Sequence, residues 1–405
     1  MSLLSAGEIA ALKRDYPCHQ VAGQWVALRP GSGKFGPSGF TGPCPLHSPN
    51  PQARDSTRFE VGAEGWVCVD CGGGDVFRLV ALRHGLDPEK DFRQAVELLA
   101  GRRRPSAEEI AAAERAPRET PIESEQARNE WRDAERRKAY DIYYKYGLPL
   151  RDPAAAPGRR YLREIRKVDF PDNVWLRFDP ACRFYVPDRP RARLVHSGPA
   201  LLGQIQRAGH FIGAHMTFLD LAQPKGKARI VDPKTGALQP AKKVRGSMKG
   251  GHVELVHVDA PRALVLGEGK EKVLAVWTAL HEGGRDLTAT AFWSAMNLGN
   301  LGGKHAGLLP HPTLKTESGR VRRVPGSLPD LTAPAIEIPP SVSRLVLLGD
   351  STSDRFSTQC VLARAAKRYA RPGLEVVAAW APDGQDFDDL LRLAAPERSE
   401  GGEAT

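Results

Sequence analysis

Between residues 57 and 68 apolar and polar positions alternate. Thr57, Phe59 and Val61 interleave with Arg58 and Glu60, and after Gly62 to Gly65 comes Trp66-Val67-Cys68. Alternation on both sides of a glycine-bounded turn predicts a short β-hairpin. The period then lengthens. Val76, Leu79 and Val80 fall on one helical face behind Asp75, whose short carboxylate suits a helix N-cap. A second helix is expected after Asp87, with Pro88 at its first position and Gly101 as its stop.

From Arg102 to about Arg137 no period is sustained. Arg, Glu and Ala dominate and Pro105, Pro117 and Pro121 interrupt, the pattern of a charged, partly helical linker. Residues 138–258 read as mixed, with short β patterns at Arg183–Val186 and His210–Ile212. From Ala263 onward strand and helix patterns alternate: Ala263–Leu266, Glu271–Leu280, Leu287–Phe292, then, after a Pro/Gly-rich stretch, Leu345–Leu348, Ser357–Tyr369 and Leu374–Ala379. Such alternation predicts a largely parallel sheet covered by helices. The expected organisation is a multidomain α+β and α/β chain. It comprises a small β-rich unit (1–101), a charged linker (102–137), a mixed α+β basic unit (138–258), an α/β unit (259–395) and a frayed tail (396–405).

Composition narrows the partners. The chain has 405 residues, 58 Lys and Arg against 48 Asp and Glu, and a formal net charge of +10. With 41% hydrophobic residues it is too apolar to be wholly disordered, and its basic excess favours a polyanion, nucleic acid first. No run approaches the roughly 18 apolar residues of a membrane span. The N-terminus lacks a secretory pattern, so a cytoplasmic protein without membrane association is expected. The charge concentrates in residues 221–250, where Lys225, Lys227, Arg229, Lys234, Lys242, Lys243, Arg245 and Lys249 face a single acid, Asp232. No aromatic residue lies among them, which points to phosphate contact rather than base stacking. A second run, Arg159, Arg160, Arg163, Arg166 and Lys167 around Tyr161, reads as a solvated helix face with some phosphate contact.

The sharpest chemical signal is a pair of pairs. Cys44-x2-His47 and Cys68-x2-Cys71 each place two soft or borderline ligands on one tight turn. Three thiolates and one imidazole complete a closed tetrahedron, the preference of structural Zn²⁺, and leave no position for a reactive water. Gly31-Ser32-Gly33-Lys34-Phe35 lacks the first glycine and the Ser/Thr of a phosphate-binding P-loop, and no later segment supplies one.

Cys44-Pro45-Leu46-His47 followed by Cys68-Val69-Asp70-Cys71-Gly72-Gly73-Gly74-Asp75 resembles the N-terminal zinc ribbon of DnaG-type bacterial and phage DNA primases. Leu264-Val265-Leu266-Gly267-Glu268-Gly269 resembles the first motif of that family's Toprim domain, a Rossmann-like α/β unit. Leu345-Val346-Leu347-Leu348-Gly349-Asp350 resembles its second, and Gln385-Asp386-Phe387-Asp388-Asp389 its closing acidic segment. The resemblance covers about residues 40–85 and 155–392. It implies a phage- or prophage-type primase in a bacterial host cytoplasm, which makes short RNA primers on single-stranded DNA from nucleoside triphosphates.

The same resemblance implies Mg²⁺ or Mn²⁺ held by Glu268, Asp350, Asp354 and Asp386, of which Glu268, Asp350 and Asp354 would be catalytic. Glu268 would also serve as general acid or base, and Glu271, one helical turn on, would face the same crevice. Lys225, Lys227, Arg229, Lys242, Lys243, Arg245 and Lys249 would bind nucleic acid or nucleotide. A replicative helicase would act in trans, since the sequence carries no P-loop motor. One position departs from the pattern. The family's second motif is Asp-x-Asp, whereas here it reads Asp350-Ser351-Thr352, with Asp354 offering a carboxylate two residues later. A neutral hydroxyl cannot replace a carboxylate's charge on a divalent ion. The alternatives are therefore a non-catalytic nucleic-acid-binding replication protein with a degenerate Toprim domain, or a Toprim nuclease.

Overall fold

The glycine turn after Val61 brings together the two strands that alternation predicts. The computed structural model describes residues 4–31, 34–48, 50–52, 59–68, 70–88, 90–101, 105–115, 121–186, 192–315, 321–349, 354–382 and 384–394. Strands β1 (Arg29–Pro30), β2 (Phe40–Gly42), β3 (Phe59–Val61), β4 (Trp66–Cys68) and β5 (Gly72–Gly74) form a sequentially ordered antiparallel sheet. Helices α1 (Ala6–Asp15), α2 (Cys18–Gly23), α3 (Val76–Arg83) and α4 (Phe92–Ala100) accompany it, sharing a core that includes Leu12, Phe59, Val61, Trp66, Phe77 and Leu79. Asp75 caps α3 as expected, accepting from the Arg78 amide at 3.0 Å. Helix α4 starts later than expected. The Lys90 amide donates to Asp87 and the Asp87 amide to Asp91, so these side chains hold a turn where the helix was expected to begin. Gly101, at φ 64°, ends it.

The stretch read as a linker carries α5 (Ala107–Arg115) and α6 (Pro121–Tyr140). Helix α6 does not stop near 137 but runs into a π-helical turn, Asp141–Tyr146. Beyond it come β6 (Leu148–Pro149), a short α7 (Ala156–Arg160) with a π-helical extension at Tyr161–Ile165, and the long strands β7 (Leu176–Val186), β8 (Arg193–Arg207) and β9 (His210–Phe218). These strands are longer than the sequence pattern suggests. The Ala200–Leu202 segment of β8 is buried on both faces of the sheet, and a strand covered on both sides loses its alternation.

A minor ladder, β10 (Ile230–Val231) with β11 (Leu238–Gln239), precedes β12 (Lys242–Gly246) and β13 (His252–Val256). The alternating half follows as β14 (Ala263–Gly267), α8 (Lys270–Glu282), β15 (Thr290–Ser294), α9 (Leu298–Gly302), a β16–β17 hairpin (Leu308–Lys315, Val321–Pro325), β18 (Arg344–Gly349), α10 (Arg355–Tyr369), β19 (Glu375–Trp380) and α11 (Phe387–Ala394).

One ten-stranded sheet unites both halves in the order β12-β9-β8-β13-β15-β14-β18-β19, with β7 on β8 and β6 on β7. Strand β13 is the junction: it pairs antiparallel with β8 on one side and β15 on the other. From β15 to β19 all pairs are parallel, as expected for residues 263–380. Along β14 the faces alternate strictly. Val265 joins Val273, Leu274 and Phe292 in one core, while Leu264 and Leu266 join Leu345, Leu347, Val361 and Leu362 in another. The molecule is therefore a mixed α+β fold. Among the described residues no helix is long and apolar enough to cross a membrane.

Candidate functional site

The hairpin β3–β4 and the turn after it assemble the first site. One ligand atom each from Cys44, His47, Cys68 and Cys71 lies within 4.8 Å of all the others. The Cys44 and Cys71 sulfurs are 3.9 Å apart and His47 Nε2 lies 3.2 Å from Cys68 Sγ. The Asp70 amide donates to Cys68 Sγ at 3.4 Å. Such crowding has an electrostatic consequence. Sulfur-to-sulfur hydrogen bonds hold the Cys68 thiol far below its usual value, while the neighbouring sulfurs, with burial, push Cys44 and Cys71 up. Three thiols this close ionise together only around a cation, so the donor set fits Zn²⁺ in both composition and proximity.

The second site lies at the carboxyl end of β14. Glu268 follows the strand directly, and Ser294 Oγ, at the end of parallel β15, donates to the Glu268 carbonyl at 2.9 Å. The Glu268 carboxylate lies 3.9 Å from Lys272 Nζ, one helical turn along α8. The same ammonium is 3.6 Å from Asp386 Oδ1, beside the start of α11, and only 4% of the Lys272 side chain is exposed. Lys272 thus brings two of the predicted acids to one place. Asp350 follows the last residue of β18, the parallel neighbour of β14, and itself lies outside the described residues, as do Ser351, Thr352 and Ser353.

Asp354 is engaged locally. It caps α10 by accepting from the Ser357 amide at 2.8 Å, and it lies 3.0 Å from His311 Nε2. His311 Nδ1 accepts from the Leu314 amide at 2.8 Å, which leaves Nε2 to donate to the carboxylate. Burial would raise the Asp354 carboxyl, but the bonds from Ser357 and His311 hold it below the usual range. Among the described residues, only the Cys/His set forms a cluster of three or more groups that could hold an ion.

Glu271 does not face the crevice as expected. It is 3% exposed and turns into the interior, where Tyr161 Oη donates to it at 2.7 Å and Lys227 Nζ and Lys242 Nζ each lie 3.6 Å away. Burial alone would raise its carboxyl, yet the ammonium groups of Lys242, Lys227 and Lys270 hold it well below the ordinary value. Lys270, fully enclosed beside it, is pushed down to about 7 by burial. His215 is buried against the same cations and is held neutral by desolvation and by Lys270 and Lys242. Its Nδ1 has no hydrogen-bond partner among the described residues.

The predicted basic residues divide into three groups. Lys225, Arg229 and Lys249 are exposed and carry no ion-pair partner among the described residues. Lys227 and Lys242 neutralise Glu271. Lys243 and Arg245 alternate with Lys242 on β12 and therefore leave from the opposite face. Lys243 donates to the Tyr185 carbonyl and lies over the Phe184 ring, and burial lowers its pKa to about 8. Arg245 makes a two-point contact with Glu135 on α6 at 3.0 and 3.2 Å. The run around Tyr161 is solvated in part: Arg160, Arg163 and Lys167 are exposed, whereas the other two turn inward. Arg166 is 6% exposed and bonds to the buried Asp388, while Arg159 donates to the Leu150 and Asp152 carbonyls.

Sequence reasoning missed Lys270, Lys272 and His311. A signal for the two lysines was present: Lys270-Glu271-Lys272 puts three charges directly before the apolar Val273-Leu274-Ala275, where an ordinary core helix would bury none. His311 carries no such local mark.

A family model described as a domain of unknown function, DUF7146, matches residues 134–255, from the end of α6 into β13. No curated protein matches the chain. Three solved structures illustrate what it is similar to. A DnaG primase catalytic domain bound to ssDNA aligns with a TM-score of 0.37 at 15% identity, over 66% of this chain and 79% of that one. A DNA primase domain from Pseudomonas aeruginosa aligns with a TM-score of 0.35 at 13% identity, over 64% and 73%. The E. coli primase catalytic core aligns with a TM-score of 0.34 at 14% identity, over 64% and 75%.

Proposed function

We propose that this chain is a DNA primase, laying down short RNA primers on single-stranded DNA by metal-dependent nucleotidyl transfer during phage, prophage or plasmid replication. The observation that carries the reading is the parallel sheet whose strand ends supply acids: Glu268 after β14, Asp386 beside it through Lys272, and Asp350 next in sequence after β18. In parallel sheets, function gathers at these carboxyl ends.

Glu268 and Asp350 are the residues that would hold Mg²⁺ or Mn²⁺. Such an ion, when bound, supplies positive charge to the transferring phosphoryl group. Glu268 would take the proton of the attacking hydroxyl or return one to the leaving oxygen. Asp354, through its cap on α10 and its bond to His311, fixes the helix that follows residues 350–353. Lys225, Arg229 and Lys249 are the cations available to template or triphosphate phosphates. The Cys44/His47/Cys68/Cys71 zinc site holds the hairpin that would present the N-terminal unit to template, and a helicase would act in trans.

Lys272 favours a second reading. Its ammonium already neutralises part of the acidic crevice, as expected of a nucleic-acid-binding replication protein without catalysis. Incubating the full chain with single-stranded DNA, labelled ribonucleotides and Mg²⁺ or Mn²⁺ separates the readings. Short metal-dependent RNA products support the primase. Tight DNA binding without synthesis supports the binder, and cut template a nuclease.

A further inference from the structure

On the antiparallel half, away from the acids, lies an aromatic cluster that the crevice does not use. Helix α6 ends at Tyr140, and the wider π-helical turn after it adds Tyr143, Tyr144 and Tyr146. Tyr143 is buried and donates to the Trp175 carbonyl at 3.0 Å, anchoring the turn. The other three face solvent: Tyr140 and Tyr146 are 51% exposed and Tyr144 38%.

Two of the exposed rings are nonetheless held in place. Tyr140 and Tyr144 have centroids 4.4 Å apart, and both lie against Phe211 on β9, at 5.6 and 5.8 Å. Tyr144 Oη donates to Gln204 on β8 at 2.8 Å. The Arg177 guanidinium sits 5.3 Å from the Tyr144 ring and is itself tied to the Gly147 carbonyl at 3.1 Å. Residues 136–147 carry Arg136, Arg137, Lys138 and Lys145 against one acid, Asp141. Arg137 and Lys145 are exposed with no ion-pair partner among the described residues, and Lys145 Nζ lies 5.5 Å from the Tyr146 ring centroid.

Exposed aromatic rings lose solvation energy that a loose surface could recover by folding them inward. Here Phe211 beneath Tyr140 and Tyr144 prevents that and keeps those two outward. No exposed large aliphatic side chain accompanies them between residues 136 and 186 among the described residues, as an apolar protein partner would require. Rigid rings flanked by unpaired cations match one ligand chemistry: flat bases strung on phosphates.

We propose that Tyr140, Tyr144 and Tyr146 form a stacking platform for the bases of single-stranded DNA, with Arg137 and Lys145 on its phosphates. The proposal deepens the primase reading by naming where template bases rest, and rests on that reading only for the class of ligand. The test uses the full chain and two labelled strands of about 20 nucleotides, oligo(dT) and an abasic strand of equal length, followed by fluorescence anisotropy. Wild type should prefer oligo(dT). Tyr140→Ala with Tyr146→Ala should weaken oligo(dT) about tenfold or more, down to the abasic level, and leave the abasic strand unchanged. Tyr140→Trp should retain affinity, which guards against a folding artefact.

Equal loss on both strands, no loss on oligo(dT), or a wild type that binds neither strand overturns the platform. Ring-dependent preference in a protein that makes no primers removes the primase reading and leaves the platform standing.

Discussion

The ammonium of Lys272 stands 3.6 Å from the carboxylate of Asp386, almost wholly shielded from solvent. A positive charge already occupies ground that the family resemblance assigns to a divalent ion. Removing it lifts a repulsion against any divalent ion beside Asp386 and Glu268. Lys272→Met should tighten Mn²⁺ binding about tenfold, the equivalent of one pKa unit of lost repulsion. Asp386→Asn in the wild type should leave Mn²⁺ affinity nearly unchanged, and the same change in the Lys272→Met background should cancel the gain. Calorimetric titration reads all four proteins. A weaker site in Asp386→Asn alone would show that Asp386 ligates metal despite its lysine.

The Cys/His cluster predicts one zinc per chain by elemental analysis. Its buried sulfurs repel once the ion is gone, so chelation should unfold the β3–β4 hairpin region. Cys68→Ser should lose the zinc and the protease resistance of residues 1–101 together, while β14 to β19 stay folded by hydrogen exchange. Retained zinc in Cys68→Ser would contradict the assignment.

Glu271 makes an acid-side prediction. Its folded pKa is depressed, so its contribution is fully present above the usual carboxylate range and is lost as pH falls through the depressed value. Glu271→Gln leaves Lys227, Lys242 and Lys270 facing one another without a counter-ion. The cost should be about 3–5 kcal/mol at neutral pH, and the loss of stability on acidification should become shallower. Urea denaturation at pH 7 and pH 4 measures both effects. Identical pH profiles for variant and wild type would overturn the ion-pair account.

Much of the fold was legible because it is local. Alternation around Phe59 and Trp66, the cap at Asp75 and the parallel run from Ala263 are each written within a few residues. Strand lengths were not, because β8 is covered on both faces and so shows no period. The site divides the same way. The Cys44/His47/Cys68/Cys71 spacing is a local code, and so is Glu268 at a strand end. Lys272 meeting Asp386, and Asp354 meeting His311, depend on chain returning from far away. Strand parity made the remaining difference: Lys242, Lys243 and Arg245 look like one basic patch in sequence, yet consecutive β12 positions leave from opposite faces.

That division yields a prediction for DNA affinity. Neutralising Lys225, Arg229 and Lys249 together should reduce the slope of log affinity against log salt by about 2, at roughly 0.7 per phosphate contact on a single strand. Lys243→Met should leave the slope unchanged, because its ammonium is spent on the Tyr185 carbonyl. Equal effects from both proteins would return Lys243 to the nucleic-acid surface.

The most direct test of the central claim is primer synthesis by Glu268→Gln measured beside its affinity for single-stranded DNA. The primase account predicts RNA synthesis in the wild type that falls at least a hundredfold in the variant, with DNA affinity unchanged, since Glu268 acts on the transferring group and not on the template. Synthesis that survives Glu268→Gln, or a wild type that binds DNA and makes no RNA under Mg²⁺ or Mn²⁺, would contradict it.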